Sequence, residues 1–184
     1  MKLAARVAAG DDAAAHLFLQ QALPRVRKTV MFLCADHMEQ EDVVQNTLVE
    51  LVKAAGTFRG ESRFSWWVDR ITVHMASRVI SKHIRRRRIR EQTWFPSARQ
   101  GTLEDEMDYR KMQRALSNVL EKIQLRDRTP LVLHHLYGYS VEEVAAMLDV
   151  GVHTVRSRLR TGMKKMKQLV LHDEMLSDWM SVKE

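Results

Sequence analysis

The sequence predicts an all-α protein, built as two small helical domains joined by a flexible linker. Apolar residues recur at helical spacing almost everywhere, and no stretch alternates convincingly as a strand would. Only three prolines and seven glycines interrupt the 184 residues. The periodicity lapses once, in "EQTWFPSARQGTLEDE", which holds Pro96 and Gly101 and turns from basic to acidic along its length. That lapse divides the chain into a first domain at 1–91, a linker at 92–107, a second domain at 108–175 and a frayed tail at 176–184.

The elements follow in order. Asp11 or Asp12 can cap a helix running to about Leu23. Pro24 should kink or break it, with a second helix over about 25–34. Next, Val43, Val44, Thr47, Leu48, Leu51, Val52 and Ala55 form one face of an amphipathic helix. Asp42, Gln45, Asn46, Glu50 and Lys53 make its acidic and amide-rich outer side. Gly56 ends it, and "FRGES" makes a turn. A long helix should run from about Phe64 to Arg90, closing in "RRRRIR". After the linker, Tyr109, Met112, Leu116, Val119 and Ile123 restore the helical period. A short helix around 127–137 has Pro130 near its start.

"YSVEEVAAMLDVGVHTVRSRLRTGMKKMKQLV" then predicts two helices about a tight turn at "DVG". Ser140 and Glu143 are spaced as a capping box. Val141, Val144, Ala145 and Leu148 form one inner face, and Val152, Val155, Leu159, Met163 and Met166 the other. This is a helix-turn-helix. Around the second helix, His153, Ser157, Arg160, Thr161 and Lys164 oppose the apolar face. Arg156 and Arg158 flank it, with Thr154 beside Arg158. An outer face of donors and cations without an acid suits a major groove. Arginine can reach both acceptors of guanine, while Lys, Ser and Thr hold phosphates.

Composition narrows the partners. The formal charge of +7 and a pI of about 9.8 favour nucleic acid or an anionic membrane surface. No apolar run approaches the roughly 20 residues that span a bilayer. "MKLAARVAAGDDAAAHLFLQ" has two early cations, but Asp11 and Asp12 interrupt any apolar signal segment, so it reads as mature sequence. The single cysteine, Cys34, lies in the apolar "VMFLCA" and reads as a buried thiol in a reducing cytoplasm. No phosphate-binding glycine loop, cysteine pair or HExxH is present, so neither an enzyme nor a metal or cofactor site is expected.

"FRGESRFSWWVDRI" is the other unusual stretch. It gathers Phe58, Phe64, Trp66 and Trp67 with Arg59, Arg63 and Arg70. Aromatic faces can stack on unpaired bases at roughly 1–3 kcal/mol each. Neighbouring cations can neutralise strand phosphates, and a loop can pocket a flipped base. Phe64 and Trp67, three apart, can equally belong to the core, and adjacent Trp66 is then the more exposed ring.

"YSVEEVAAMLDVGVHTVRSRL", with "LRDRTPLVLHHLYGYS" before it, resembles region 4 of bacterial sigma factors, the extracytoplasmic-function (ECF) group above all. "EDVVQNTLVELVKAAGTFRGESRFSWWVDRI", continuing through "SKHIRRRR", resembles region 2 of the same family. The resemblance implies a factor that carries core RNA polymerase to promoters and helps melt the minus-ten element. It implies minus-thirty-five recognition by His153, Thr154, Arg156, Ser157, Arg158, Arg160 and Lys164. It implies minus-ten capture by the loop Phe58, Arg59, Gly60, Glu61 and Ser62. Trp66, Trp67, His74, Arg78, Arg85 and Arg86 then lie along the melted strand. Asp42, Gln45, Asn46 and Glu50 match the surface that docks on polymerase, and an anti-sigma factor is implied as a further partner. The chain departs from the family pattern at His153 and Thr161 in region 4. In region 2 it departs at Asn46, at His74 and at Asp69, where an aromatic is common. A helix-turn-helix regulator acting without polymerase explains residues 108–170 but leaves the aromatic stretch and the acidic helix idle. A basic RNA-binding or membrane-surface protein is the third reading.

Overall fold

Residues 2–34, 37–90 and 107–171 are described by a computed structural model, without the side chains of 37–39, 83–90 and 107–110. The helices are α1 (Lys2–Ala8), α2 (Asp12–Leu33), α3 (His37–Ala54), α4 (Phe64–Arg90), α5 (Met107–Glu121), α6 (Leu125–Leu131), α7 (Val141–Leu148) and α8 (Val152–Val170). No strand occurs among the described residues. The linker expected at 92–107 falls outside them except for Met107, and the tail at 176–184 falls outside entirely.

Asp11 is the N-cap of α2, its carboxylate accepting the Ala14 amide at 2.9 Å. Arg6 closes α1 onto the same carboxylate at 2.6 Å. The Ala14 amide, then Arg6, hold the Asp11 carboxyl below the usual range.

The break expected at Pro24 does not occur, since α2 runs unbroken through it. Ala14, Phe18, Ala22, Val26, Val30 and Leu33 make one buried stripe spanning the proline. An interior proline costs about 3 kcal/mol. Each large side chain in the stripe gives back about 1.5–3 kcal/mol on burial. Pro24 faces solvent, as does Gln20, whose carbonyl loses its helical partner and can bind water instead.

The expected inner face of α3 is present, with Val43, Val44, Thr47 and Leu51 buried. The helix stops at Ala54, two residues before Gly56, and tightens into a 3₁₀ turn over Ala55–Thr57. The Thr57 hydroxyl donates to the Ala54 carbonyl at 2.7 Å, satisfying one terminal acceptor. Gly60 then takes φ 76°, which reverses the chain in "FRGES". The long helix α4 has the bounds expected from sequence and buries Trp67, Val68, Val73, Ala76 and Ile80 against α2 and α3.

In the second half the short helix begins at Leu125, earlier than expected. Pro130 is buried near its end and not near its start. A π-helical turn follows over Val132–Leu136, and Gly138 at φ 73° leads into the next helix. The Ser140–Glu143 capping box forms both its bonds, at 3.0 and 2.8 Å. Asp149, at φ 52°, makes the left-handed step between α7 and α8. Aspartate tolerates that region better than most residues.

α8 crosses α6 at Gly162. A methyl group there would lie 2.8 Å from Leu131 Cδ1 and 3.0 Å from the Asp127 carbonyl oxygen. The glycine in "RTGM" is therefore a close-packing residue. The halves before and after residues 91–106 share one apolar core, which runs from Ala4 to Val155. Ser117 on α5 donates to the Met31 carbonyl on α2 at 2.8 Å. Cys34 is buried, as its setting predicted.

Candidate nucleic-acid interface

The helix-turn-helix presents α8 as expected. Val155 is fully buried, while His153, Thr154, Arg156, Ser157, Arg160, Thr161 and Lys164 are exposed and Arg158 is half-buried. The Arg156 guanidinium lies 3.5 Å from Glu142 on α7. Both partners are more than half exposed, so the pair contributes at most about 1 kcal/mol and yields readily to a base edge or phosphate. His153, Thr154, Ser157, Arg158 and Thr161 wall an open groove completed by Arg126 and Asp127.

The groove's acid was not foreseen. Asp127 is buried, and one of its oxygens makes no hydrogen bond. Lys165 Nζ and Arg126 Nε, each 3.8 Å from the carboxylate, balance its charge at longer range. Asp127 lies ahead of the helix-turn-helix in the chain, so the wheel of α8 could not reveal it.

The aromatic stretch divides between core and surface. Trp67 is only 9% exposed and packs with Phe18, Phe58 and Phe64, ring centroids 5.3–6.2 Å apart. Phe18 comes from α2, far away in sequence. Trp66 is half-buried at the edge of the same core, with the Arg70 guanidinium 5.7 Å from its ring centroid. Arg59, Gly60 and Glu61 are exposed in the loop, and Phe58 and Ser62 are half-buried. Arg78 is exposed on α4, while the side chains of Arg85 and Arg86 lie outside the described residues. A groove between α3 and α4 is lined by Glu50, Trp67, Arg70, Ile71, His74 and Arg78. Asp42, Gln45 and Asn46 are exposed on α3, and Glu50 is half-buried.

His74 faces the second half of the chain. Its Nε2 is 2.9 Å from the Met147 carbonyl oxygen and 3.5 Å from Asp149. One turn away, Arg70 reaches Asp149 at 3.1 Å.

Behind these residues lies Asp69, fully buried. Arg25 Nη2 donates to its Oδ2 at 2.6 Å, and Arg25 Nε to both oxygens at 3.0 and 3.1 Å. The Tyr139 hydroxyl donates at 2.7 Å and the Thr29 hydroxyl at 3.2 Å. The Arg25 guanidinium also lies 4.1 Å from the Tyr137 ring centroid. Asp69 raises the Arg25 pKa further above its ordinary range. Burial first, then the bond to Asp69, pushes Tyr139 up to about 12, and burial pushes Tyr137 up to about 12. Sequence reasoning found Asp69 only as an oddity, because its partners lie 40, 44 and 70 residues away.

Among the described residues no group of three or more His, Cys, Asp and Glu could hold a metal ion. No helix among them is long and apolar enough to cross a membrane.

Comparison with known proteins places both surfaces in one family. The family model "Sigma-70 region 2" matches residues 18–90, and "Sigma-70, region 4" matches residues 113–166. The RNA polymerase sigma-H factor of Pseudomonas aeruginosa is 28% identical over 177 residues, with 86% of each chain covered. The ECF RNA polymerase sigma-E factor of Haemophilus influenzae is 28% identical, covering 85% of this chain and 87% of that one. Among solved structures, the sigma factor RpoE in complex with the anti-sigma factor NepR from Bartonella quintana superposes with a TM-score of 0.68 at 22% identity. That match covers 85% of this chain and 96% of the other. CnrH in complex with the cytosolic domain of CnrY gives 0.62 at 22% identity, covering 94% and 97%. With both regions matched in order and relatives aligned over most of their length, the chain belongs to the sigma-70 family of RNA polymerase sigma factors, in its extracytoplasmic-function group.

Proposed function

We propose that this chain binds core RNA polymerase, directs it to a specific set of promoters and helps open the minus-ten element, under the control of an anti-sigma factor. The observation that carries this reading is the pairing of two surfaces on one chain. The exposed, acid-free face of α8 lies in the region 4 match, and the aromatic and basic start of α4 lies in the region 2 match.

In this reading residues 1–91 form region 2, 92–107 connect, 108–175 form region 4 and 176–184 are a tail. Arg156 reads a base edge of the minus-thirty-five element, assisted by His153, Thr154, Ser157, Arg158, Arg160 and Lys164. Trp66 stacks at the upstream edge of the opened strand while Trp67 supports it from the core. The loop Phe58–Ser62 takes the flipped base, and His74, Arg78, Arg85 and Arg86 follow the strand. Asp42, Gln45, Asn46 and Glu50 meet polymerase, since carboxylates would repel DNA phosphates. Melting draws on binding energy, and bond chemistry is left to polymerase. The chain acts in the bacterial cytoplasm, where polymerase and promoters are.

The test mixes the pure protein with core polymerase and genomic DNA and maps transcript 5′ ends. Starts sharing two spaced upstream elements are expected. Promoter binding without polymerase, and no added starts with it, would move the chain to the regulator class.

A further inference from the structure

One acid lies under the reading face of α8, and the proposed function gives it no task. Asp127 on α6 is buried, its side chain 4% exposed. The close crossing at Gly162 seals it in, since a methyl group there would lie 3.0 Å from the Asp127 carbonyl oxygen. Its Oδ2 accepts no hydrogen bond. A buried acceptor without a donor destabilises a fold, and an apolar group of the same shape would cost less. Packing alone therefore does not account for a carboxylate here.

The carboxylate has a cation on each side. Lys165 Nζ on α8 is 3.8 Å from Oδ2, and Arg126 Nε on α6 is 3.8 Å from Oδ1. Such distances are too long for hydrogen bonds but short enough for Coulomb attraction. Lys165 continues the row Arg158, Thr161 along α8, and Arg126 walls the groove with those two residues. The Lys165 and Arg126 side chains are 40% and 70% exposed. A phosphate can reach both cations but not the acid beneath them. Salt screens exposed charges and weakens a buried one much less, so Asp127 keeps its pull at working ionic strength.

We propose that Asp127 is a positioning residue that makes two phosphate contacts depend on register. Lysine and arginine on an unrestrained surface swing to phosphates wherever the helix lies on a duplex, and that is the source of sequence-independent binding. Drawn by charge toward one buried point, Lys165 and Arg126 meet phosphates only where base contacts have already fixed α8. Asp127 thereby lowers binding to other DNA and leaves promoter binding nearly intact. It sets specificity without touching a base. This role rests on α8 meeting DNA, as in the function proposed above, and does not itself require polymerase.

The experiment uses Asp127→Asn, which keeps the shape and removes the charge. Binding of the full-length chain to a labelled random-sequence duplex is measured from about 50 to about 200 mM salt. The variant should bind about 3–10-fold tighter at the low end, with a log–log salt slope steeper by about 0.9 for each cation released. With core polymerase, its preference for a mapped promoter over random competitor should fall by a similar factor. Adding Lys165→Gln and Arg126→Gln to Asp127→Asn should remove the gain. In the wild-type background, Lys165→Gln should lower promoter preference and hardly change random-duplex binding. A freely swinging phosphate contact would weaken both alike, so this comparison decides the matter if Asp127→Asn folds poorly. Unchanged or weaker random-duplex binding by folded Asp127→Asn would overturn the proposal. So would a tighter variant whose gain survives loss of both cations. Absence of mapped promoter starts would instead sink the sigma-factor reading, and the random-duplex measurements would still decide whether Asp127 restrains the two cations.

Discussion

The Tyr139 hydroxyl donates a 2.7 Å hydrogen bond to the fully buried carboxylate of Asp69, 70 residues earlier in the chain. One oxygen atom thereby joins the start of the helix-turn-helix to the second turn of α4. Arg25 supplies the countercharge from a third helix.

A buried carboxylate without its partner is expensive, so Arg25→Leu should destabilise the fold by about 3–5 kcal/mol. Removing both charges, in Arg25→Leu with Asp69→Leu, should recover much of that loss because no unpaired charge remains. Urea unfolding of the two variants checks this. Equal destabilisation by the single and double changes would mean that the ion pair is not what the core depends on.

The tyrosines set an alkaline limit. Tyr137 and Tyr139 are both pushed up to about 12 in the folded protein from an ordinary value of 10. Below pH 10 both are protonated, folded or unfolded, and stability does not depend on them. Between about 10 and 12 the unfolded chain has released protons that the folded chain retains, so stability falls as pH rises. Thermal unfolding from pH 8 to 12 should show a declining Tm above pH 10. Tyr139→Phe should make that decline shallower.

Gly162→Ala tests the α6–α8 crossing. The added methyl would press on Leu131, which can shift, and on the Asp127 carbonyl, which is backbone and cannot shift cheaply. A loss of about 1–3 kcal/mol is expected, lowering Tm by about 2–4 °C for each kcal/mol in a chain of this size. An alanine variant as stable as the parent, gaining only helix propensity, would show that the two helices can separate freely.

The tryptophan pair should split by function. Trp67→Ala removes a ring from the Phe18–Phe58–Phe64 cluster and should cost about 3–5 kcal/mol of stability. Trp66→Ala should cost much less in stability but weaken promoter opening, seen as permanganate reactivity of unpaired thymines at low temperature. The reverse pattern would exchange their assigned roles.

Arg156→Ala should lose about 1–3 kcal/mol of discrimination at one upstream base pair, measured by competition among single-base promoter variants with polymerase present. Lys164→Ala should instead weaken all promoters alike and reduce the salt dependence.

Much of this protein is written locally. The capping box at Ser140, the span of α4 and the inner face of α3 follow from residues within a turn or two of one another. The exposed face of α8 does too, because a helix wheel needs only the helix. Those regularities carry the all-helical class and the likeness to sigma regions 2 and 4. Tertiary structure decided the rest, and in each case the deciding partner is remote in sequence. The buried stripe of α2 packs on α3 and α4, and that burial outweighs Pro24's break. Phe18 turns Trp67 from a surface ring into a core one. Leu131 and Asp127 explain why position 162 is glycine. Asp69 looks misplaced in its own helix until Arg25, Thr29 and Tyr139 are brought around it. A lone acid is costly in an apolar core, and only the folded chain can assemble the donors that keep it there.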